Sequence, residues 1–168
     1  RLRDRTWLLF ALWSNETLSR LKGDWQAARE FSDRGLAVAP QEPRLLGFRT
    51  LLEYEVGDSA AGESYMKVLL EAMRQSSPGP TVEYQFPAIA IPLVARITGV
   101  VEQFEAARSA AEAVLSSTSV LPLSAEVARA GLGLLAVERR DVSGAQEQYA
   151  ALKSLQGRMV FIGIINGD

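Results

Sequence analysis

The chain has 168 residues, 48% of them apolar and 23% charged, enough to bury a core, so disorder and a small cross-linked scaffold are both excluded. A formal net charge of -2, from 18 basic and 20 acidic side chains, gives no polyelectrolyte character to favour nucleic acid or anionic membrane surfaces. With no cysteine and no histidine, disulfides, thiol nucleophiles, Ser-His-Asp triads and ordinary zinc sites cannot be assembled, and a cytoplasmic setting is expected.

Apolar residues recur at helical spacing, as in Trp7, Ala11, Leu18 and Leu21, and again in Leu45, Phe48 and Leu52. No run alternates apolar and polar residues as a half-buried strand would. In chain order the pattern predicts helices over 5–21, 25–38, 42–56, 59–75, 86–98, 101–117, 123–139 and 142–156. Consecutive helices pair as antiparallel hairpins, giving units near 5–40, 42–76, 81–117 and 122–156 in a single domain over 1–168. Ser76-Ser77-Pro78-Gly79-Pro80 is the strongest loop signal and divides two pairs of hairpins. Pro87 and Pro92 place the start of the fifth helix at Phe86 or Pro87, with a kink near Pro92. The apolar run Met159 to Ile165 within 157–168 reads as the start of a further, truncated unit, and the chain as a piece of a longer one. Neither that run nor Phe86 to Ala95 reaches the roughly 18 to 20 residues of a membrane span.

The helices repeat. Gly23-Asp24 opens Trp25-Gln26-Ala27-Ala28-Arg29-Glu30-Phe31, and 34 residues later Gly57-Asp58 opens Ser59-Ala60-Ala61-Gly62-Glu63-Ser64-Tyr65. Looser copies follow at Phe104-Glu105-Ala106-Ala107-Arg108 and Asp141-Val142-Ser143-Gly144-Ala145, at offsets of 45 and 38. Each element has a physical role: Gly23 takes a positive φ, Asp24 caps the next helix, Ala28 admits a close helix, and Pro40 stops the chain. Phe104 with Ala107, and Asp141 with Ala145, stand at the matching places. Trp25 is expected to fill space beside Ala28, so that Trp25→Ala would cost roughly 3–5 kcal/mol.

This combination resembles the second half of a tetratricopeptide repeat, whose period is about 34 residues. The first-helix signature of that family is missing from all four units. The resemblance implies an all-α fold of antiparallel hairpins stacked as a tetratricopeptide-like α-solenoid of about four helix pairs. Further phrases, Leu51-Leu52-Glu53-Tyr54-Glu55-Val56-Gly57-Asp58, Ile91-Pro92-Leu93-Val94-Ala95-Arg96 and Tyr149-Ala150-Ala151-Leu152, resemble the helical-repeat region of large bacterial signalling proteins. There a signal-transduction NTPase precedes such repeats, coupled to a class III nucleotide cyclase or a LuxR-type helix-turn-helix.

Chemistry is sparse by comparison. Glu53 and Glu55, two apart on a helix, point to different sides and read as solvated surface. Gly131-Leu132-Gly133-Leu134-Leu135-Ala136 fits a loose dinucleotide pattern but has no preceding strand, so it reads as close helix packing. Asn15-Glu16-Thr17 is a formal glycosylation sequon in a helix. Arg139-Arg140 suits a helix C-terminus. No cofactor or metal is expected, and no catalysis. The segment is expected to bind a protein or peptide partner, or flanking domains of its own polypeptide, with self-association as the alternative. Its candidate contacts are Trp13, Arg20, Arg49 and Tyr54, taken as exposed on first helices, Arg49 either snorkelling or facing a groove.

Overall fold

A computed structural model describes residues 2–156. Over these the chain is helical without a strand: α1 (Leu2–Leu21), α2 (Trp25–Val38), α3 (Pro43–Glu55), α4 (Ser59–Gln75), α5 (Val82–Thr98), α6 (Phe104–Leu115), α7 (Pro122–Glu138) and α8 (Val142–Leu152), closed by a 3-10 turn at Lys153–Leu155. The helices pair as hairpins, as the spacing predicts. The Met159 to Ile165 run lies outside the described residues.

The turns explain the repeat. Gly23 and Gly57 sit at φ 77° and 88°, and the amides of Asp24 and Asp58 reach back to the carbonyls of Ser19 and Glu53 at 2.9 and 2.8 Å. This wide closure satisfies carbonyls that the helix end would otherwise leave open. Each aspartate then accepts from the amide three residues on, Ala27 and Ala61, both at 3.1 Å. The last turn is the same: Asp141 N–H reaches Ala136 O at 2.8 Å, and the Asp141 carboxylate accepts from Gly144 N–H at 3.0 Å. Here the left-handed position is filled by Arg140, at φ 57°. The third copy has Gln103 as its cap, without a side-chain bond.

The chain forms two compact units, residues 2–72 and residues 73–156. In unit 1, α1 packs on α2 and α3, and α2 on α3. Helix α3 is enclosed nearly all round: Leu45, Leu46, Leu51 and Leu52 are buried, and so are Arg49, Thr50 and Glu53. Gly35 of α2 allows Leu45 in, since a Cβ there would stand 2.5 Å from a Leu45 methyl. Gly62 of α4 likewise lies under the Tyr54 ring, with 2.7 Å between its would-be Cβ and the ring.

In unit 2, α5 packs on α6 and α7, α6 on α7, and α7 on α8. One cluster of its core is made of small residues, Ala88, Ala110, Ala111, Val114 and Ala128, around Tyr84. Helix α5 starts at Val82, earlier than Phe86, and runs through both Pro87 and Pro92. A proline inside a helix costs about 3 kcal/mol. The burial of Phe86, Ile89, Ile91 and Val94 offsets this, at about 1.5–3 kcal/mol for each large side chain. Pro92 has no N–H to give the Ala88 carbonyl, and that oxygen faces α7 at Gly131, where a Cβ would sit 2.1 Å from it. The Gly131-Leu132-Gly133 pattern is therefore close helix packing.

Trp25 departs from its expected role. It is 40% exposed, whereas Ala28 is fully buried, so Trp25 leaves much of its ring in water instead of filling space beside Ala28. Phe104, at the matching place in α6, is 3% exposed and lies under the Arg139 guanidinium, 5.5 Å from the ring centre.

Candidate interaction surface

The four side chains expected on first-helix surfaces are mostly internal. Trp13 is 5% exposed; its ring stacks on Phe48 at 5.9 Å, meets the edge of Phe10 at 5.7 Å and carries the Arg44 guanidinium at 5.8 Å. Arg20 donates to Glu55 Oε1 at 2.9 Å and lies over the Phe48 ring at 5.5 Å. Tyr54 is half-buried against Gly62. Trp13 and Arg49 are thus corrected from exposed contacts to core: Trp13 is packed by Phe10, Phe48 and Arg44, and Arg49 lies on a covered side of α3.

Arg49 organises a charge cluster. Its Nε donates to Glu53 Oε1 at 2.5 Å, one turn along α3, and its Nη1 donates to Asp33 Oδ1 of α2 at 2.6 Å and to the Arg29 carbonyl at 3.2 Å. Its guanidinium lies 4.8 Å from the Tyr65 ring centre. Arg29 also grips the Glu53 carboxylate, through Nε at 3.1 and 3.2 Å and through Nη2. Glu53 is 1% exposed, so its expected place on the solvated surface is wrong, whereas Glu55 is exposed. Burial alone would raise the Glu53 carboxyl, but the hydrogen bonds from Arg29 and Arg49 outweigh it and hold the group below the ordinary carboxylate range.

Arg139, the C-cap of α7, donates to Glu105 Oε1 of α6 at 2.5 Å, and Arg108 holds the other oxygen at 2.5 Å. The hydrogen bond from Arg139 and then that from Arg108 hold the exposed Glu105 carboxyl below its usual range.

An open apolar concavity lies in unit 2. A cleft of about 480 Å³ is lined by Ile89 of α5, Val127 and Ala130 of α7, Tyr149 and Leu152 of α8 and Leu155, with Glu126 and Lys153 beside them. Round α8, a second hollow of about 430 Å³ joins Val137, Val142 and Tyr149, which are 61%, 67% and 65% exposed. Spacings of three residues from Tyr149 to Leu152 to Leu155 were the available sequence signal, but they read equally well as a core stripe.

Among the described residues no three acidic side chains converge as metal ligands would, and no helix is long and apolar enough to cross a membrane. No protein-family model, curated protein or solved structure matches the chain.

Proposed function

We propose that the chain is a protein-interaction module of a larger bacterial signalling or transcription-regulatory protein, with no catalysis of its own. The observation that carries this reading is the cleft of unit 2, an apolar, concave surface between helices with one acidic and one basic side chain at its edge. Such a groove suits the apolar anchors of a helix or peptide from another protein segment. The resemblance of the repeat phrases to helical-repeat regions of bacterial regulators supplies the setting, and a cytoplasmic location goes with it.

A photo-crosslinking amino acid at Tyr149, with one at the exposed Glu63 of α4 as control, tests the reading in the full-length protein. The expected result is a discrete protein adduct at Tyr149, absent at Glu63 and lost when Val127→Arg fills the cleft. Equal adducts at both positions would overturn it.

A second reading, a spacer and self-association element between an NTPase and an output domain, is favoured by a different feature. Unit 1 exposes Trp7, Leu18 and Leu21, 64%, 50% and 64% accessible, along α1, with Trp25 beyond its end. Adducts between two copies, together with a mass that rises with concentration, would select this reading.

A further inference from the structure

The Glu16 side chain of α1 is wholly buried, and neither carboxylate oxygen has a hydrogen-bond partner. The charges around it are engaged elsewhere. Arg20, one turn along α1, reaches instead to Glu55 of α3, while its own Nε remains buried and without a partner. Arg49 of α3 is held by Glu53 and Asp33, and from α2 the charges of Arg29 and Asp33 are taken up in the same cluster. Glu42, at the head of α3, is engaged by Arg44 and the Leu45 amide and adds negative charge.

An unpartnered carboxylate is far more costly to bury than the neutral acid. Burial accordingly pushes Glu16 well above the ordinary carboxylate range; Arg20 and then Arg49 offset this only in part, and Glu42 adds to it.

We propose that Glu16 is a protonation switch acting on the Arg20–Glu55 ion pair that joins α1 to α3. With Glu16 neutral, Arg20 extends to Glu55 and holds the two helices together. When the Glu16 proton passes to water, the new carboxylate draws Arg20, at i+4 on its own helix, away from Glu55. The junction between the first helices of the two hairpins in unit 1 then loosens.

The sign follows from proton linkage. Between the ordinary value and the raised folded value, the folded chain keeps a proton that the unfolded chain has released. Rising pH therefore weakens unit 1, increasing the unfolding constant by about tenfold per pH unit until the folded group has titrated.

Trp13 supplies a reporter. It lies one turn before Glu16, its indole N–H is buried without a partner, and replacing Trp7 and Trp25 by Phe leaves it the sole tryptophan. Its fluorescence and the denaturant midpoint of the whole chain should follow a one-proton transition above the normal glutamate range, and Glu16→Gln should abolish it. Glu55→Gln, by releasing Arg20, should move that transition to lower pH. A protonated-carboxyl infrared band that persists above the ordinary carboxylate range should be present in the parent chain and absent from Glu16→Gln. An unchanged transition in Glu16→Gln, no shift in Glu55→Gln, or no such band would each overturn the proposal. If Glu16→Gln does not fold, the infrared band and the Glu55→Gln shift decide it.

Discussion

Unit 1 and unit 2 are both pairs of helical hairpins, but different chemistry closes them. Unit 1 encloses Glu16, Arg49 and Glu53, with Arg29 and Asp33 reaching in from α2. Among its described residues unit 2 buries no charged side chain, and alanines and a glycine pressed against backbone make its closest contacts. Buried charges are poor sources of net stability but demand one geometry, because every misplaced helix strands a charge. Small-residue packing demands close contact instead, with any added methylene felt at once. One turn motif can thus support two kinds of specificity.

The largest effect should come from breaking the charge cluster. Arg49→Ala leaves Glu53 buried with Arg29 as its one remaining cation and should cost about 3–5 kcal/mol in denaturant unfolding, whereas Arg49→Met with Glu53→Leu should cost less than Arg49→Ala. Equal or greater loss in the double variant would mean that the pair is a net source of stability. The matched aromatics sharpen the comparison: Phe104→Ala in unit 2 should cost about 3–5 kcal/mol, but Trp25→Ala in unit 1 only about 1 kcal/mol, because 40% of Trp25 is already in water. Thermal melts of both, side by side, check this. Gly131→Ala should lower stability by about 1–3 kcal/mol, since the obstructing atom is backbone. The smallest effect has the opposite sign: Arg140→Gly should stabilise by roughly 0.5–1 kcal/mol, relieving a left-handed conformation that Gly23 and Gly57 adopt freely.

The helices and turns were legible because their signals are local. An Asp cap and a Gly before it state where one helix ends and the next begins, and three of the four copies carry the aspartate bond. Facing was less legible, above all in α3. A helix covered on several sides has no polar stripe, so nothing in Arg44 to Glu55 tells a buried Arg49 from one that snorkels. Glu53 misled for a related reason: its partners Arg29 and Arg49 are 24 and 4 residues away, and only the former comes from another helix. The start of α5 was misplaced because proline chemistry is local but the burial that overrides it is not. The cleft of unit 2 draws on α5, α7 and α8, and no single stretch of sequence describes it.

The contact between Ala88 and Gly131 binds two distant positions into one inheritance. Pro92 removes the donor that would have held the Ala88 carbonyl within its own helix, and the bare α-carbon at Gly131 makes room for that oxygen. Neither residue is explained by its own helix. Replacing Pro92 restores a donor for the Ala88 carbonyl, so a side chain at 131 should cost less in a Pro92→Ala background than in the parent chain. The two sites should therefore be coupled in stability.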